Sequence, residues 1–183
     1  MSKYIQHDHH EILIPVHITR FALLTCQAIL INAIITYTNG YNLLGFLELC
    51  LYLTSVTHWR KIKHTGIARK IDVGCIIVTF TYATYVSFCM PQIYTCVWVS
   101  SLVGASLVFY VNDKFFYYQV LQKDVTISEP FHYFSVAYTK PGTLERELAY
   151  YRNVITHGIC MHVGLSLVSI YCIIHNPVPF ICT

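Results

Sequence analysis

Ionisable side chains are scarce in this 183-residue sequence, and the few that fall within its apolar stretches are where chemistry could reside. An acid at the centre of a hydrocarbon layer costs at least about 2.5 kcal/mol on insertion scales, so each such residue calls for a reason. His58 closes one apolar stretch, Asp72 opens the next and His157 opens the last, with His162 further along in the same half of the bilayer. Two imidazoles and a carboxylate at one depth are the ingredients of a zinc site with an open position, where bound water is acidified to a nucleophile. The competing reading is structural, because His and Asp are cheap residues at helix ends that reach the membrane interface. Glu48 lies in the middle of its stretch, with Gln27 and Asn32 of the preceding one as candidate hydrogen-bond partners. It serves either as interhelical glue or as a functional carboxylate. His7, His9, His10 and Glu11 form a dense cluster near the N-terminus, read as a solvated tail in preference to a metal site, since a short tail offers no scaffold.

The elements that must position these groups follow from composition. Hydrophobic residues make up 55% of the chain and charged residues 11%, with a mean hydropathy of +0.51. A soluble domain carries about 25% charged residues, and disorder requires low hydrophobicity, so both are excluded. A helix needs roughly 17 to 25 apolar residues to cross a bilayer. Five stretches approach that length, at 21–37, 43–58, 71–90, 93–111 and 154–174, interrupted at Asn39-Gly40, Met90-Pro91 and Asn176-Pro177. The expected fold is all-α, a single polytopic transmembrane helix bundle over residues 1–183 with about five spans.

Orientation follows from the basic residues, which flank spans on the cytoplasmic side. Lys3 and Arg20 precede the first span. Arg60, Lys61, Lys63, Arg69 and Lys70 follow the second, and Lys114, Lys123, Lys140, Arg146 and Arg152 lie between the fourth and fifth; these are all twelve. The N-terminus is therefore expected in the cytoplasm, and His58, Asp72 and His157 at the cytoplasmic leaflet. The net charge of +3 is explained by these anchors without a nucleic-acid partner. Segment 112–152 is expected to lie along the membrane through Phe115 to Tyr118, Phe131, Tyr133 and Phe134, and Pro141-Gly142-Thr143 to open a helix leading into the last span. The polar start and absent cleavage site make the first span an expected signal anchor.

Of eight cysteines, Cys26, Cys50, Cys75 and Cys160 fall within spans as small hydrophobes. Cys89, Cys96, Cys172 and Cys182 gather at the opposite face, where one disulfide among them is expected if that face is oxidising. No Cys-x-x-Cys occurs, so a zinc ribbon or thioredoxin-type site is not supported.

Thr54-x-x-x-His58, a basic connector and Lys70-Ile71-Asp72 together resemble the Ser-x-x-x-His and downstream Asp of the CREST superfamily, which includes alkaline ceramidases and progestin and adipoQ receptors. The family's pattern closes with His-x-x-x-His in the last span, and His157-Gly158-Ile159-Cys160-Met161-His162 stands in the corresponding place. The resemblance implies a zinc ion held by His58, His157 and His162. It also implies water activation and oxyanion support by Asp72 with Thr54 or Ser55, and hydrolysis of lipid-like amides. The chain departs from the family in having Thr for Ser and five spans instead of seven. It also sets the final histidines five apart, which on an α-helix puts them about 140° from each other. A π-bulge, with its i→i+5 bonding, would bring them back to one face.

Three functions compete. The first is a zinc-dependent hydrolase of a lipid amide or ester at the cytoplasmic leaflet, the second a noncatalytic scaffold or assembly component, and the third a channel or transporter lined by Glu48 and the histidines. The histidine period favours the noncatalytic reading. On that reading the partners are the bilayer, other membrane proteins or further copies of the chain, and Gly45, Gly104 and Ala105 are the small residues expected to pack helices.

Overall fold

A computed structural model describes residues 16–60, 67–121 and 144–176, with side chains at 17–60, 67–111 and 151–176. Within them the chain is helical: α1 (Val16–Thr38), α2 (Asn42–Arg60), α3 (Ile67–Phe88), α4 (Gln92–Leu121), α5 (Leu144–His157), a π-helical segment (Gly158–Gly164) and α6 (Leu165–Ile174). Four helical stretches are long and apolar enough to cross a membrane: His17–Thr38, Ile67–Phe88, Gln92–Val111 and Tyr151–Ile174. The fifth, α2, carries Glu48 and packs against α1 and α3. The His7 to Glu11 cluster lies outside the described residues.

The turns form where sequence punctuation places them. Gly40 adopts φ 92°, the left-handed region where a side chain is disfavoured. Its N–H donates to Tyr37 O (3.1 Å), and that of Tyr41 to Thr36 O (3.2 Å), which closes α1 with the paired bonds of a Schellman motif. The α3–α4 hairpin turns at Cys89 to Pro91, with the Met90 N–H on Ser87 O (3.1 Å) and the Trp98 indole N–H on Thr84 Oγ1 (3.0 Å). One boundary differs from expectation. Helix α4 runs on to Leu121, past the Val111 end of its apolar stretch, because Asn112 to Lys114 contain no helix breaker. The last column is continuous from Leu144 to Ile174, but seven of its residues are π-helical.

Apolar and polar residues are distributed inside out. Leu24, Ile31, Leu53, Ile77, Val103 and Leu167 are each more than half exposed, whereas Asn32, Thr36, Glu48, Ser55, Asp72 and Ser169 are buried. An exterior of that kind suits a lipid solvent, and polar side chains bond across helices inside. One apolar cluster joins Ile18, Ala22, Cys26, Trp59 and Val154, and a second joins Tyr41, Leu44, Ala83, Val86, Trp98 and Ile173. At the second end the Tyr41 hydroxyl donates to Asn176 O (2.7 Å).

Gly45 is where α1 and α2 meet: a Cβ there would lie 2.9 Å from the Tyr37 backbone nitrogen and 3.0 Å from Ala33 O. Gly104 is different, since a Cβ at that position meets nothing within 4 Å. It is therefore not the helix-packing residue expected, because α4 presents that face away from the described helices. Ala105, its neighbour, is half-buried. Cys89 is disulfide-bonded, while Cys96 and Cys172 are free thiols, as are Cys26, Cys50, Cys75 and Cys160.

Candidate functional site

The π-helical segment immediately follows His157 and contains His162. An i→i+5 hydrogen-bonding step adds one residue to the turn, which closes the angular gap that a five-residue spacing leaves on an α-helix. The two imidazoles lie edge to face with ring centroids 4.8 Å apart. Gly158, between them in sequence, explains why the widened turn sits here. A Cβ at this position would stand 2.7 Å from Thr25 Oγ1 and 3.0 Å from Phe21 Cε1, so the segment approaches α1 more closely than any side chain allows.

Thr25 does more than receive that contact. Its hydroxyl donates to Ala22 O (2.9 Å) and lies 3.0 Å from His162 Nδ1. With its single proton committed to Ala22, Thr25 is the acceptor, so Nδ1 carries the imidazole proton and Nε2 is the basic nitrogen. This is the arrangement of histidines that ligate metal or act as base, in which the second ring nitrogen is held by a polar group behind it. Cys26 Sγ lies 3.7 Å from the same Nδ1.

Trp59 sits at the centre of the histidines. Its ring centroid is 5.4 Å from His58, 5.0 Å from His157 and 6.2 Å from His162. The three imidazoles thus surround one indole, and His157 also meets Phe109 (5.4 Å). Among the described residues no group of three or more His, Cys, Asp or Glu side chains is arranged to hold a metal ion. His157 and His162 are brought together, and His58 stands on the other contact of Trp59.

Asp72 lies in the second turn of α3, facing α2, and is buried. Its Oδ1 accepts from Ser55 Oγ (2.8 Å) and Thr54 Oγ1 (3.0 Å). Thr54 shares its proton with Leu51 O, also 3.0 Å away, whereas Ser55 has Asp72 alone. Ser55 is therefore the better-held hydroxyl, and it is Ser55 that lines the cavity described next.

That cavity, partly open and of about 50 Å3, lies between the helices. Ser55, His157 and His162 border one part; Asn32, Glu48 and Ser169 border another. Asn32 Nδ2 donates to Glu48 Oε1 (2.7 Å) and Ser169 Oγ does so at 3.4 Å, while Thr36 donates to Asn32 Oδ1 (3.4 Å). Asn32 is thus the Glu48 partner that was expected. Gln27 is not: its amide donates to Leu23 O (3.4 Å) and Tyr52 Oη (3.5 Å) at the exposed side of α1, because five residues from Asn32 on an α-helix point to a different face.

Thr25, Trp59, Gly158 and Ser169 were not among the candidates read from the chain. Thr25, Asn32 and Thr36 do follow one another at steps of seven and four, the period of one helical face, which is a legible polar stripe in an apolar helix. Trp59, Gly158 and Ser169 have no such pattern. No family model matches the chain, and no curated protein or solved structure matches it either.

Proposed function

We propose that this chain is a membrane hydrolase of lipid amides or esters, of a kind with the CREST superfamily, and not a passive scaffold. The π-helical turn carries the reading. It sets His157 and His162 side by side on the wall of a cavity that Ser55 also lines, and so removes the objection from their five-residue spacing. π-helical turns interrupt regular bonding and occur frequently at functional sites.

Hydrolysis requires a base for the attacking water and a means of orienting it. Ser55 commits its proton to Asp72 and turns its lone pairs toward the cavity, where they accept one hydrogen of that water. Nε2 of His162 takes the second proton as the water oxygen bonds to the carbonyl carbon, and returns it to the departing nitrogen or oxygen. Thr25 holds the imidazole in the required tautomer throughout. In the CREST-like form of the reading His58, His157 and His162 would hold a zinc ion, which would supply an acidified water; among the described residues they are not arranged to do so.

A second reading, the noncatalytic assembly component, draws on Trp59: three imidazoles packed on an indole make a stable aromatic cluster without chemistry. The two are separated by elemental mass spectrometry and hydrolysis of a fluorogenic lipid amide and ester, on purified wild type, His58→Ala, His162→Ala and Asp72→Asn. The hydrolase reading expects turnover in the wild type and its loss in His162→Ala and Asp72→Asn, with about one zinc per chain in the CREST-like form. Absent turnover together with absent metal gives the chain to the noncatalytic reading.

A further inference from the structure

Four hydroxyls border the cavity, and three of them give their proton to the protein. Ser55 donates to Asp72 Oδ1 (2.8 Å), Thr79 to Leu47 O (3.4 Å) and Ser169 to Glu48 Oε1 (3.4 Å). Ser166, only 5% exposed, makes no hydrogen bond among the described residues. Its oxygen is not sealed off, because the one sealed polar side-chain atom without a partner there is Glu48 Oε2. The Ser166 hydroxyl therefore opens into the cavity that it borders. His162 borders the same cavity, with Nδ1 held by Thr25 and Nε2 left over. Ser166 follows it by four residues, a spacing that puts the two on one helix face with Cβ atoms about 5–6 Å apart. Buried polar groups are met by protein or by ordered water, and here the protein supplies nothing.

We propose that the cavity is a water-binding site, anchored by Ser166, that stores water beside the histidine pair. Size and chemistry agree. A water needs about 10–15 Å3 of space and about two to four polar partners, so a cavity of about 50 Å3 takes about three or four waters. An apolar ligand does not fit, since a cavity that takes benzene measures about 150 Å3. One water accepts from Ser166 and donates to His162 Nε2, across a gap that a single molecule bridges. A second donates to Ser55, whose lone pairs remain after its proton has gone to Asp72. The walls formed by Leu51, Ile76, Phe80, Trp98 and Met161 are apolar and confine the waters to the polar strip. The inference rests on the hydrolase reading in one respect: the stored water is the second substrate. The core of a bilayer holds no water to hydrogen-bond with, so hydrolysis there requires a store inside the protein.

The test is radiolytic labelling in lipid nanodiscs, in which hydroxyl radicals formed from water oxidise the side chains beside it, read by peptide mass spectrometry. Met161, Trp98 and Phe80 are the reporters on the cavity wall, and Leu53 and Leu167, more than half exposed on the outer surface, are the lipid-facing controls. With intrinsic reactivity divided out, the reporters in the wild type are expected to oxidise at least tenfold faster than the controls. Ser166→Leu, which removes the anchor and fills the space, is expected to slow them at least fivefold. Reporters no faster than the controls overturn the proposal, and so does undiminished labelling in folded Ser166→Leu. Should Ser166→Leu not fold, the wild-type rates still decide. Turnover of the fluorogenic lipid amide, measured on the same preparations, separates the two readings. A labelled cavity in a wild type without turnover removes the hydrolase reading alone, whereas turnover with an unlabelled cavity removes the water store alone.

Discussion

Replacing Gly158 with alanine tests whether the close approach to α1 is what holds the histidine pair. The new methyl would lie 2.7 Å from Thr25 Oγ1, 3.0 Å from Phe21 Cε1 and 3.1 Å from Thr25 Cγ2, against optimal separations of about 3.5–4.0 Å between carbons. Thr25 is β-branched and has few rotamers to escape into, and its hydroxyl is bonded to Ala22 and His162. The helices must therefore part or both bonds must break. Overpacking of this kind costs about 1–3 kcal/mol, and an interhelical hydrogen bond in a membrane protein adds about 0.6 kcal/mol. Alanine recovers about 0.8–1.0 kcal/mol over glycine in helix propensity. The expected net loss is about 0.6–2.8 kcal/mol, measured by reversible SDS unfolding in mixed micelles. In a Thr25→Ala background the two Thr25 atoms are gone and only Phe21 Cε1 remains, and the same substitution should cost at least about 1 kcal/mol less, a coupling that a double-mutant cycle reads directly. Equal costs in the two backgrounds would refute the close-packing account of Gly158. Gly104→Ala, whose Cβ meets nothing, serves as the control and should be neutral or slightly stabilising.

Gly45→Ala places a methyl against the α1 backbone, which cannot rotate away, so its cost should exceed that of Gly158→Ala, by the same unfolding assay. Ser55→Ala should reduce lipid-amide hydrolysis by at least tenfold while Thr54→Ala changes it little, because Ser55 is the cavity hydroxyl and Thr54 divides its proton with Leu51. Equal effects would remove the assignment of Ser55. Alkylation of unfolded, unreduced protein followed by mass spectrometry should modify Cys96 and Cys172 but not Cys89. Replacing Thr25 with valine, near in shape but without an acceptor, should leave the fold intact and lower turnover by freeing the His162 tautomer.

The sequence by itself determined the class of the protein. A charged fraction of 11% and five apolar stretches require a helical bundle in lipid, and Gly40 and Pro91 stop helices because their backbones cannot continue them. Asn32 was legible, together with Gln27, as a polar partner for Glu48 in the neighbouring span, whereas the bonds of Thr54 and Ser55 to Asp72 were not. The tertiary structure alone decided the rest. Residues 158–164 coil as π where Gly158 packs against Thr25, a position far away in the chain, and only the tertiary structure shows it. That choice turns the histidine spacing from an objection into an alignment. The same holds for Glu48: the chain shows that it needs a partner, but only the packed helices show that Asn32 and Ser169 supply it.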